Sequence, residues 1–173
     1  MLHDLRSAHV VWKVMVSANV DGKVYTHTPS DPSSHAHTDV PSSPRSICTL
    51  ASVGTGMVCM GQVGGFMSLL DVHTQRIVYD MRVHTDDIRC VVSAYTPSPS
   101  PSPSFMHTIL STSYDSTGCV WGYTPSPSSS STLQKLGVLV GAHTDKILSA
   151  LYVQPGGGVV TTGADGQVVW WGR

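Results

Sequence analysis

Two sets of side chains recur in this chain with types that could do chemistry. His84 is followed by Ser111 and Asp115, and His143 by Thr161 and Asp165. A histidine, a hydroxyl and a carboxylate are the parts of a general base, its nucleophile and the group that orients the base. That constellation would serve acyl transfer if the hydroxyl could meet a substrate. Ser111 and Thr161, however, lie within runs that read as strands and face the core, so the structural reading is preferred.

The remaining candidates are weaker. His35, His37 and Asp39 are close enough for a surface metal site, but no second pair of ligands has matching spacing. Gly156-Gly157-Gly158 lacks the following lysine and helix of a phosphate loop and reads as a hairpin turn. Cys48, Cys59, Cys90 and Cys119 show no C-x-x-C spacing and sit beside apolar strand residues, as small buried hydrophobes do. No metal or cofactor is expected. A net charge of -1 offers no electrostatic footprint for nucleic acid or an anionic membrane. No apolar run is long enough for a membrane helix, and His3, Asp4, Arg6, His9 and Lys13 break up any leader. The expectation is a soluble, intracellular protein, cytoplasmic or nuclear.

The elements that must position these residues are strands. Charged residues make up only 12% of the 173, and Ser, Thr, Pro and Gly take their place. Short apolar runs at 57–60, 88–92, 108–112, 148–153 and 159–162 are bounded by Gly, Asp or Ser turns, as in antiparallel meanders. The runs at 133–136 and 138–140 are too short and too flanked by Gly and Ser for a helix. Residues 14–19, the Asp21-Gly22 turn and residues 23–26 make a hairpin, because Asp-Gly supplies the positive φ angles of a tight turn. Ser/Pro clusters at 28–34, 41–46, 96–104 and 124–132 read as surface excursions. Eight Ser or Thr residues precede proline there, from Thr28 to Ser126; tolerated loop drift is preferred to phosphorylation as their explanation.

The triplet His-Thr-Asp begins at His37, His84 and His143, with spacings of 47 and 59. Setting aside cluster 41–46 in the first interval, and clusters 96–104 and 124–132 in the second, leaves 41 in both. Asp115 and Asp165 each precede a tryptophan, Trp121 and Trp171, by six residues. Residues 141–173 run from Gly-Ala-His through two apolar strands and an Asp-Gly turn to a strand ending in Trp. That order resembles a repeat of the WD-repeat β-propeller family, whose units run about 40–45 residues.

The resemblance implies an all-β fold of four-stranded antiparallel propeller blades. The chain would be a partial propeller, its C-terminal portion. Expected units are a partial blade at 1–27, a degenerate blade at 37–71, a blade at 84–123 carrying insert 96–104, loop 124–132, and the best-matching blade at 143–173. The resemblance also gives His84, Ser111, Asp115 and Trp121, and likewise His143, Thr161, Asp165 and Trp171, as hydrogen-bonded chains that stiffen a blade, with each indole donating to the hydroxyl. In the degenerate unit the corresponding positions are Met60, Gly64 and Leu70, which lose the chain. The implied function is a non-catalytic scaffold that binds a protein or peptide on the propeller face through Tyr114, Ala164, Asp87 and Lys146. Self-association or pairing with missing blades is a further expectation. The alternatives are a propeller hydrolase or metal-dependent enzyme, and a truncated fragment without independent function.

Overall fold

Gly- and Asp-containing turns cut the chain into short strands, and these pair with their sequence neighbours throughout. The structure, a computed structural model, describes residues 15–18, 23–28 and 31–39 as backbone strands, and residues 45–95, 106–126, 131–153 and 158–172 with side chains. The first sheet is β1 (Met15–Ala18), β2 (Lys23–Thr28) and β3 (Asp31–Asp39). The second is β4 (Ile47–Val53), β5 (Met57–Gln62), β6 (Phe66–Asp71) and β7 (Arg76–Arg82). The third is β8 (Ile88–Tyr95), β9 (His107–Ser113), β10 (Gly118–Thr124) and β11 (Thr132–Leu139). Among the described residues the fourth has three strands: β12 (Ile147–Val153), β13 (Gly158–Gly163) and β14 (Val168–Trp171). All pairs are antiparallel.

Position in the sheet explains the residue pattern. Inner strands β4, β8 and β12 lie beside one another, so the second, third and fourth sheets stack face to face. Middle strand β5 is covered on both faces, and its successive residues Val58, Cys59 and Met60 are all buried. Outer strand β7 is covered on one face only, and its exposure alternates along Arg76–Arg82. Ala51, Cys59 and Leu69 of the second sheet meet Ile109, Cys119, Trp121 and Tyr123 of the third in one apolar layer. Leu110 of the third meets Ala150 and Val159 of the fourth in the next. Gly65 sits in the β5–β6 turn at φ +82, where a Cβ would lie 2.1 Å from the carbonyl oxygen of His84. Only glycine lets the second sheet's turn come that close to the strand entering the third.

Several boundaries differ from expectation. His37 lies within β3 opposite Tyr25 and does not open the second sheet. Ile47, Ile88 and Ile147 each begin an inner strand beside a bulge, and Ile88 follows Ile47 by 41 residues with nothing set aside. The position matching His84 is therefore residue 43, outside the described residues. Cluster 28–34 is no loop over its whole length, since β3 begins at Asp31; Pro32 is tolerated there because β3 is outermost in its sheet. β7 and β11 carry the second and third sheets past 71 and 123. The β1–β2 pairing matches the expected hairpin, while its Asp21-Gly22 turn lies outside the described residues.

Candidate binding site at the turn end of the sheets

The site grows from two polar chains that hold the β9–β10 and β13–β14 turns. In the fourth sheet, the Trp171 indole donates to Thr161 Oγ1 at 2.8 Å, and Thr161 Oγ1 lies 2.8 Å from His143 Nε2. His143 Nδ1 is 3.0 Å from Asp165 Oδ2. A carboxylate only accepts, so Nδ1 carries the ring proton, Nε2 is the acceptor, and the Thr161 hydroxyl donates to it. The backbone N–H groups of Thr144 and Gln167 complete the coordination of Asp165.

The third sheet repeats this with one break. Ser111 Oγ lies 2.9 Å from His84 Nε2, and His84 Nδ1 lies 3.0 Å from Asp115 Oδ2. Thr85 N–H and the Thr117 hydroxyl donate to the same carboxylate. The Trp121 indole nitrogen, however, is buried without a hydrogen-bond partner among the described residues, which corrects the expected donation to Ser111. β10 carries an outer strand, β11, which bulges at Leu136 opposite the Val120–Trp121 step, while β10 itself stays in register with β9 as β14 does with β13. The Trp121 ring lies in the apolar layer with Lys135 5.8 Å from its centroid. Sequence spacing carries no sign of that bulge.

Burial decides the electrostatics. It lowers the His84 pKa below its ordinary 6.5, against the opposing pull of Asp115, so the imidazole is neutral at pH 7. Burial would raise the carboxyl of Asp115, but donation from Thr117 and Thr85 outweighs it and holds the group below the usual range. Asp165 is likewise held down, burial being outweighed by the N–H groups of Gln167 and Thr144 and by His143. Ser111 and Thr161 are fully buried, so neither hydroxyl is open to a substrate.

In the second sheet, buried Met60 and Leu70 stand where the other sheets have their hydroxyl and indole. A different polar chain replaces the missing one. Arg45 pairs with Asp80 at 2.6 Å and stacks on Phe66, and Ser68 Oγ lies 2.6 Å from Asp80 Oδ1. Arg45 is buried, although it falls in a cluster read from sequence as a surface excursion.

The polar chains place the residues expected to meet a partner. Tyr114 N–H donates to the Asp87 carbonyl at 3.0 Å, and Ala164 N–H to the Lys146 carbonyl at 2.8 Å. Each residue three past the histidine also reaches the preceding sheet's turn. Asp87 Oδ1 accepts from Gly64 N–H at 2.8 Å, and Lys146 Nζ lies 4.7 Å from the Tyr114 ring centroid. Arg89, which spacing alone does not single out, brings a second cation 5.1 Å from the same centroid. Half-buried Tyr114 thus joins two neighbouring sheets beneath two positive charges, and neither Arg89 nor Lys146 has an ion pair among the described residues. Asp87 spends its carboxylate within the chain; Ala164 is exposed and adds no functional group of its own. The described residues contain no cluster of metal ligands, and the side chains of His35, His37 and Asp39 lie outside them.

Stacked antiparallel sheets joined through their inner strands, with a His–hydroxyl and His–Asp chain at the turns of the third and fourth, have the fold of part of a WD-repeat β-propeller. Solved structures agree on the fold. The chain matches the structure of U3-55K (TM-score 0.66, 16% identity, over 92% of this chain and 45% of that one). It also matches the RRP9 WD40 repeats (0.69, 16%, over 92% and 44%) and the WD40 β-propeller domain of Doa1 (0.69, 15%, over 97% and 49%). The chain thus spans less than half the length of these structures. No family model and no curated protein matches it.

Proposed function

We propose that this chain is a non-catalytic scaffold that binds a protein or peptide at the turn end of its sheets, around Tyr114. The observation that carries this is the Tyr114 ring with the Arg89 guanidinium and the Lys146 ammonium over it, drawn from two adjacent sheets. An aromatic surface beneath two cations without an ion pair suits an extended segment bearing carboxylates or phosphates, which gains charge-assisted hydrogen bonds from both. Catalysis by the His–hydroxyl–Asp sets is disfavoured because Ser111 and Thr161 are sealed in the sheet interior. Fluorescence anisotropy against a peptide array graded from basic to acidic tests the reading. Acidic peptides should bind best, and Tyr114→Ala should abolish the preference at unchanged melting temperature. Binding that ignores peptide charge, or that survives in Tyr114→Ala, refutes it.

A further inference from the structure

The first sheet gathers histidines that stand apart in the sequence. His35 and His37 are two residues apart in β3 and so share one face of it. Spacing alone offers them no further imidazole, but the pairing of β2 with β3 does. His27 is the direct cross-strand partner of His35, and Tyr25 of His37, in a register unbroken from His27 to Lys23. His27, His35 and His37 are therefore on one face of the sheet. The alternate residues Val24, Thr26, Ala36 and Thr38 belong to the other face, which takes no histidine from this stretch. Direct partners stand about 4.5–5.5 Å apart at Cβ, and residues two apart on a strand about 6.5 Å apart. Backbone pairing within a single sheet thus fixes the three histidines as a compact triangle, whatever lies against that face.

The polar chains at the turns do not account for these residues. His84 and His143 each precede an inner strand, whereas the three histidines lie within β2 and β3. His27 follows Asp21 by six residues, as Trp121 follows Asp115, and the pair matching His27 and His35 in the third sheet is Trp121 and Lys135. The fold therefore needs an imidazole at neither place. We propose that His27, His35 and His37 bind one divalent transition metal ion, of the class of zinc, nickel and copper. These ions favour imidazole nitrogen, and zinc takes it at about 2.0–2.1 Å. Two ligands from one strand and a third from its neighbour make a three-point set that leaves a tetrahedral ion one further position. Asp39, the next residue on this face, stands opposite Lys23 as an opposite-charge pair. The ligand set is thus three neutral imidazoles, which does not suit the oxygen-seeking calcium and magnesium ions. The site uses residues separate from Tyr114 and does not rest on the binding function proposed above.

Isothermal titration of the 173-residue chain with zinc chloride tests this. The expected result is one zinc ion per chain, a melting temperature that rises with zinc, and no response to calcium. His27→Gln is the decisive variant, because only the β2–β3 pairing brings that residue to the other two. It should weaken zinc binding by about tenfold or more, while His73→Gln, in the second sheet, leaves it unchanged. A second measurement needs no variant. Ring nitrogen NMR resonances of three histidines should shift together on adding one equivalent of zinc to the wild-type chain. A chain that takes up no zinc, an affinity that His27→Gln leaves at full strength, or a shift confined to two histidines overturns the proposal.

Discussion

At the scale of single residues, two tryptophans in matching positions make opposite predictions. The Trp171 indole donates to Thr161, whereas the Trp121 indole is buried with no partner among the described residues. Trp171→Phe should therefore cost roughly 1–3 kcal/mol beyond the loss of ring area, because it leaves the Thr161 oxygen short of a donor. Trp121→Phe removes a group already without a partner and should cost less; urea midpoints of the two variants give the comparison. Asp115→Ala should also cost roughly 1–3 kcal/mol, since it strands His84, Thr85 and Thr117 together. Tyr114→Ala, at the half-exposed end of the same turn, should move the midpoint far less. Equal losses would merge the two roles. Acid should act through the same histidine. Burial lowers the His84 pKa, so the unfolded chain takes up a proton near pH 6.5 before the native one does. Stability is thus complete above that pH and is lost as pH falls toward the lowered value, with His107 adding to the effect by the same cause. Asp115, held below 3.8, adds a second loss in stronger acid, as pH falls through its own lowered value. Melting curves from pH 7.5 downward should show the decline, and His84→Gln should flatten its first part.

Among the elements, the second sheet shows how one fold tolerates a different lock. Its turn has no His–Asp chain, yet Arg45, Asp80 and Ser68 tie the entry of β4 to β6 and β7, with Phe66 stacked beneath the guanidinium. Arg45→Ala should destabilise this sheet by roughly 1–3 kcal/mol, because it leaves the Asp80 carboxylate in a half-dry site without its cation. The paired change Arg45→Met with Asp80→Leu should restore most of that loss, and a thermal double-mutant cycle reads the coupling. This lock was not legible in the sequence. Arg45 and Asp80 are thirty-five residues apart, they match no repeat position, and Arg45 sits in a Ser/Pro cluster. What could be read were the local periodic features: the His, hydroxyl and Asp positions of the third and fourth sheets, and the turns that fix them. His37 misled because its triplet copies the repeat signature while its strand pairs with β2. The break at Trp121 was hidden because Trp121 follows Asp115 by the same six residues as Trp171 follows Asp165, and Trp171 keeps its donation.

For the molecule as a whole, the stacking of the sheets sets the order in which they open. The third sheet is packed on both faces, by the second and the fourth, while the fourth is packed on one face and open on the other. In such an array stability is nearly a sum of each unit's own stability and its contacts with neighbours, so the unit with one neighbour opens at the lowest free energy. Amides of β13 should therefore exchange with solvent faster than those of β9, although both are middle strands of their sheets. Leu110 supplies the third sheet's side of the junction with the fourth and is fully buried. Leu110→Ala should cost about 2–5 kcal/mol of packing. Because that packing lies between the two sheets, the loss should appear most strongly as faster exchange in β13 and β14, and only weakly in β5 and β6. Native-state hydrogen exchange resolves the strands separately. If all sheets lose protection together, the stack unfolds as one unit and the polar chains at the turns, rather than the layers between sheets, carry its cooperativity.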